Sequence, residues 1–164
     1  ALRLDAEGQH AQARRMRESA CEIATARAGM IDGARFEWIA DADSRLGPML
    51  ELLVNGRYCW LPLQCIQRLE IEAPADLRDC VWMPVRLAWC NGGEAVGLVP
   101  TRYAETTKAC DDALLLARRT DWLEPSEGTY WGLGQRMLVT DAGDYPLMDV
   151  RSIEFDAPVS GDVG

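Results

Sequence analysis

The chain has 164 residues, with 26 Asp and Glu against 17 Lys and Arg, and a formal charge of −9 argues against nucleic acid as the main partner, which needs a concentrated basic face. The nearest local cluster, Arg14, Arg15 and Arg17, reads as a solvated helix face. A hydrophobic fraction of 48% and a charged fraction of 26% are ordinary for one globular domain. No apolar run is long enough to span a bilayer and no charged-then-apolar leader opens the sequence, so a soluble, non-secreted protein with no membrane partner is expected.

Residues 1–30 read as a helical hairpin. Leu4, Ala11, Ala13, Met16, Ala20, Ile23 and Ala24 recur at helical spacing, and Gly8 divides the run into the end of one helix and a longer second one. Small residues on one face suit stacked helix pairs, and ALRLDAEGQHAQARRMRESACEIA resembles a tetratricopeptide-type repeat. Half a repeat cannot bury its own face, so the segment is expected to dock on the rest of the chain, on missing helices or on another copy by self-association. Ala1 in place of an initiator Met is in keeping with a fragment of a longer protein.

From residue 31 the period changes to two. Asp32-Gly33 marks a turn, and Phe36, Trp38 and Ala40 predict one strand with a mainly aromatic face. Met49–Val54 and Arg57–Leu61 are joined by Asn55-Gly56, the pair that tolerates the two positive φ angles of a type I′ turn, which predicts a tight hairpin. A strand over 66–72, a single turn at 74–79 and a hairpin about Asn91-Gly92-Gly93 follow. Thr107–Asp112 predicts a short helix, Leu114–Leu123 a strand, and 125–134 a loop rich in Gly and aromatics. Arg136–Thr140, the turn 141–144 and Tyr145–Met148 make a last hairpin. The fold class is α+β: a short N-terminal helical hairpin, a tetratricopeptide-like remnant, then a mainly antiparallel β-barrel-like domain of about eight strands over 31–156, and a flexible tail at 157–164.

The sequence also echoes itself. Leu61-Pro62-Leu63 leads to Ile66–Ile71, and Tyr145-Pro146-Leu147 leads to Val150–Phe155, each a hairpin, a Pro, a spacer and a strand with a central Glu. Such a repeated unit suits two halves covering one core.

Nothing in the sequence assembles an active site. The six cysteines at 21, 59, 65, 80, 90 and 110 include no Cys-x-x-Cys, and His10 is the single histidine, so no zinc site, metal or disulfide framework is expected. Cys59, Cys80 and Cys90 read as small core hydrophobes. The carboxylate pairs Asp41/Asp43, Asp111/Asp112 and Asp141/Asp144 fall in turns, where Asp bonds its own backbone. Gly132-x-Gly134 is too short to cradle a phosphate. No cofactor and no catalytic residue are therefore assigned. Of the six tryptophans, Trp131 stands apart, beside Tyr130 in the Gly-rich stretch, where an exposed aromatic anchors a partner.

FEWIADADSRLGPMLELLVNGRYCWLP (36–62), LEIEAPADLRDCVWMPVRLAWCNGGE (69–94), LVPTRY (98–103), LARRTDW (116–122) and GLGQRMLVTDAGDYPLMDVRSIE (132–154) together resemble the ImpE (TagJ) family of accessory proteins encoded with bacterial type VI secretion systems. The resemblance implies a non-enzymatic cytoplasmic adaptor that binds the small subunit of the contractile sheath and is linked to the AAA+ ATPase that disassembles it. It also implies a longer helical region, of which residues 1–30 are the end. No family motif transfers a binding residue, so the partner-binding candidates Asp41, Asp43, Arg45, Arg102, Tyr130, Trp131 and Arg136 come from their polar or loop setting alone. The competing readings are a small-molecule or regulatory binding barrel with a tryptophan-lined pocket, and an enzyme with a Cys nucleophile, against which the lone His10 counts.

Overall fold

The computed structural model describes residues 1–157, so the tail expected at 157–164 lies outside the described residues from 158 onward. Two helices open the chain, α1 (Leu2–Ala6) and α2 (His10–Ile23), parted at Gly8, whose φ is +75°. The small-residue face of α2 is not buried as a face. Ala13 is fully covered, whereas Met16 and Ile23 are exposed.

Three short strands follow, β1 (Gly29–Ile31), β2 (Ala34–Phe36) and β3 (Ile39–Asp41). The single aromatic strand expected over 36–40 is broken at Glu37-Trp38. Phe36 and Ile39 are both buried, which a strict period of two forbids, and Trp38 is left exposed. The hairpin β4 (Met49–Val54) and β5 (Arg57–Pro62) turns as expected, with Asn55 at φ +50° and Gly56 at φ +72°. β6 (Ile66–Ile71), β7 (Trp82–Trp89) and β8 (Glu94–Pro100) form a meander, with one 3-10 turn at Leu77–Cys80 capped by Asp76 and Asp79.

Between 104 and 134 the structure departs from the sequence reading. A 3-10 turn at Ala104–Lys108 and α3 (Asp112–Leu115) bracket the helix expected at 107–112. The strand expected from Leu114 begins only at β9 (Thr120–Ser126), because the Asp111 carboxylate accepts the N–H groups of Ala113 and Leu114 and starts a helix there. The stretch taken as a loop is β10 (Thr129–Gly134), the hairpin partner of β9. β11 (Met137–Thr140), β12 (Asp144–Pro146) and β13 (Ser152–Phe155) complete the chain. Thirteen short strands thus stand among the described residues where about eight were expected.

All the ladders are antiparallel. The main sheet runs β2-β1-β13-β6-β7-β8-β4-β5, and a smaller one β12-β11-β3. The sequence echo is visible in this order. At the centre β6 pairs β13 with Leu69 opposite Ile153, the two residues that correspond in the echo, so the pair sits on a pseudo-two-fold axis. On either side lie a meander strand, its return strand and a hairpin: β7, β8, β4 and β5 on one, β1, β2 continuing into β3, β11 and β12 on the other. Met49 pairs Pro62 as Met137 pairs Pro146, and Leu63 N–H donates to Pro48 O as Leu147 N–H donates to Arg136 O, both at 2.9 Å. The second half is built from both ends of the sequence.

No ladder closes this sheet into a barrel among the described residues. The halves meet instead at an isolated bridge, Arg102 opposite Gln135, flanked by Tyr103 N–H to Gly134 O at 3.0 Å and Arg136 N–H to Thr101 O at 2.8 Å. Ile31, Leu52, Ile66, Leu69, Met83 and Ile153 fill the space between the sheet faces, each no more than 1% exposed. Among the cysteines, Cys59 and Cys80 are half-buried as expected of small hydrophobes, but Cys90 is exposed, because it sits in the β7–β8 turn.

Candidate functional site

At the meeting of the halves the chain buries charge. Arg136, just before β11, is 1% exposed and its guanidinium is fully engaged. Nη1 donates to Asp41 Oδ2 at 2.9 Å, Nε donates to Pro100 O at 3.0 Å, and Nη2 pairs with Glu51 of β4. The other Asp41 oxygen accepts from Tyr103 Oη at 2.9 Å and from Asp43 N–H at 2.8 Å. One side chain therefore ties β3, β4 and β8 together.

Burial raises the Asp41 carboxyl to about 6, against the opposing pull of Arg136. Burial alone would lower the Arg136 guanidinium, but Asp41 and Glu51 outweigh it and hold it charged. Tyr103 is kept protonated by burial and by the neighbouring Asp41 carboxylate. A network so fully satisfied fixes geometry, and it offers no free proton donor or nucleophile to a substrate.

Asp43, fully buried, organises the loop that follows β3. It accepts from Arg45 N–H and Nε on one oxygen, and from Arg45 Nη2 and Gly132 N–H on the other. The Arg45 guanidinium then lies 4.9 Å from the centroid of the Trp131 ring, and that ring meets the His10 ring of α2 in a T-shaped contact at 5.5 Å. Trp131 is therefore the seat of the helical segment on the β-region. Arg14 adds a hydrogen bond to Glu127 O, and Arg17 and His10 share the carboxylate of Asp5.

Five of the seven sequence candidates, Asp41, Asp43, Arg45, Trp131 and Arg136, thus lie in one continuous contact chain. Arg102 stands apart at the bridge and donates to Leu115 O of α3, and Tyr130 is exposed with its N–H bonded to Ser44 Oγ at 2.9 Å. Glu51 and Tyr103 were missed. Glu51 reads as the outward residue of an amphipathic strand, and only the tertiary fold brings Arg136, 85 residues away, onto it.

Above the Asp43–Arg45 loop lies a groove of about 420 Å³. One wall is the C-terminal half of α2, through Ala20 and Cys21, with Ala24 just past its end; the other is Trp38, Leu46 and Met49. Two groove-lining arginines carry buried N–H groups with no acceptor among the described residues, Nη2 of Arg17 and Nε of Arg27. The groove therefore offers an apolar floor with the Arg17 and Arg27 side chains among its lining, which matches an amphipathic segment. Helical spacing predicts α2, but not that its Met16 and Ile23 are left exposed to solvent.

Comparison with known proteins adds three findings. The family model described as ImpE protein matches residues 33–154. A Pseudomonas aeruginosa protein, the type VI secretion system accessory component TagJ, is 51% identical over 156 residues, which cover 95% of this chain and 54% of that protein. The chain thus spans about half the length of the curated relative it matches. A crystal structure of a Vibrio parahaemolyticus protein superposes with a TM-score of 0.85 at 25% identity, over 95% of this chain and 58% of the other.

Proposed function

The chain belongs to the ImpE family, and on that premise we propose that it is a non-enzymatic adaptor of a type VI secretion system that binds an amphipathic helix of the sheath small subunit in the groove beneath α2. Its accessory role rests on the likeness to the P. aeruginosa relative over nearly its whole length. The helical pair is read as the end of a tetratricopeptide-like region, the β-region over 31–156 as a barrel-like body, and the AAA+ ATPase of the sheath as the indirect partner. A cytoplasmic location follows from that role. None of the helices among the described residues is long and apolar enough to cross a membrane.

The observation that carries the reading is the groove itself: apolar walls, the Arg17 and Arg27 side chains in its lining, and a helix whose start is seated on Trp131. The buried ionic network is the scaffold that sets the loop wall. Titration calorimetry against a peptide of the sheath subunit's N-terminal helix tests the proposal. Micromolar binding that weakens tenfold or more in Ala20→Trp, which fills the groove, and is unchanged in Tyr130→Ala, supports it. Binding that is indifferent to Ala20→Trp moves the site elsewhere.

A further inference from the structure

Cys65, just before β6, and Cys90, just after β7, stand opposite each other on neighbouring segments of the chain. Ile66 of β6 and Trp89 of β7 are register partners, and one step further out Cys90 N–H donates to Cys65 O at 3.1 Å. Opposed residues of an antiparallel pair have Cα atoms about 4.5–5.5 Å apart, inside the range of about 4.4–6.8 Å that a disulfide spans. Both side chains are exposed, and both open into the same hollow of about 790 Å³. The Cys90 sulfur is held over the Cys65 strand. Its S–H donates to Gln64 O at 3.3 Å, and Arg27 Nη1, also bonded to Gln64 O and Ile66 O, donates to the sulfur at 3.0 Å.

From this geometry we infer that Cys65 and Cys90 form a dithiol site for low-molecular-weight disulfides such as oxidised glutathione. One cysteine thiolate attacks a sulfur of the glutathione disulfide, forming a mixed disulfide and expelling one glutathione thiolate. The second cysteine thiolate then attacks the protein sulfur of the mixed disulfide and expels the other glutathione. Two cysteine thiols are oxidised to one disulfide, glutathione disulfide is reduced to two glutathiones, and the two thiol protons leave with them. The open hollow gives the tripeptide access, and the strand register sets the second thiol in place for closure. Closing the bond takes the S–H of Cys90 from Gln64 and pulls its sulfur from Arg27, so the Arg27 anchor of the segment after α2 changes with it.

The test is equilibration of the whole chain in glutathione buffers of rising oxidised fraction, followed by alkylation, digestion without reduction and mass spectrometry. The expected result is a Cys65–Cys90 linked peptide, lighter by two hydrogens, as the first disulfide to form, reversed by excess reduced glutathione. In Cys65→Ser and Cys90→Ser, the remaining cysteine is expected to stop at the glutathione mixed disulfide. Both cysteines alkylated or separately glutathionylated in the unsubstituted chain would overturn the inference. So would a link from either to Cys21, which lines the neighbouring groove.

Discussion

Arg136 Nη1 donates to Asp41 Oδ2 at 2.9 Å with neither side chain more than 2% exposed. The pair joins residues far apart in sequence and is buttressed by Glu51 and the Pro100 carbonyl. Taking one partner from such a pair leaves an uncompensated charge in the interior, which costs far more than the pair itself contributes. Arg136→Met is expected to lose about 3–5 kcal/mol of stability by urea denaturation. Arg136→Met combined with Asp41→Leu and Glu51→Gln, which removes the stranded charges, should recover part of that loss.

The proton on Asp41 gives a pH signature. Its folded-state pKa, raised to about 6 from an ordinary 3.8, means the folded chain holds that proton more tightly than the unfolded one. The contribution is therefore fully present below the ordinary value and is lost as pH rises through about 6. Asp41→Asn cannot titrate. The stability of the unsubstituted chain relative to this variant should fall by up to about 3 kcal/mol between about pH 4 and about pH 7. Parallel denaturation curves across that window check it, and a gap that widens in the other direction contradicts it.

Two glycines separate space from conformation. At Gly56 a Cβ meets nothing within 4 Å, but φ is +72°, so Gly56→Ala should cost about 1 kcal/mol, the price of a left-handed alanine. At Gly132 a Cβ would come well inside van der Waals contact of Tyr103 Cε2, and the Gly132 N–H itself donates to buried Asp43 at 2.8 Å. Gly132→Ala should therefore cost about 3 kcal/mol or more and displace Tyr103. Thermal unfolding of the two variants side by side distinguishes them.

Trp131 holds the helices through His10 and Arg45. Trp131→Ala should speed hydrogen exchange along α2 by tenfold or more while the β4–β5 hairpin keeps its protection. Uniform loss of protection would make Trp131 a residue of the global core instead.

Local chemistry was legible without coordinates. Asn55-Gly56 specified its turn, Gly8 parted the helices, and the Pro62/Pro146 echo announced a repeat that the Leu69–Ile153 pair bears out, because each of these depends only on residues within a turn or a strand of one another. The same reasoning failed at 36–40, 107–123 and 125–134, where a step in the strand, the Asp111 cap and pairing with β9 overrode composition. The candidate residues were a partial success of the same kind: polar residues in turn settings were found, but not what they touch.

What the sequence by itself determined is therefore the hairpins, the repeat and the family likeness. The tertiary structure alone decided that both ends of the chain build one half of the sheet, and that Glu51 and Tyr103 complete the charge cluster around Arg136. It alone set α2 on Trp131 with a groove beneath and placed Cys65 against Cys90. The reason is physical: hydrogen-bond pairing across a curled sheet and desolvation of charge depend on distances in space, and residues distant in sequence carry no local pattern that encodes them.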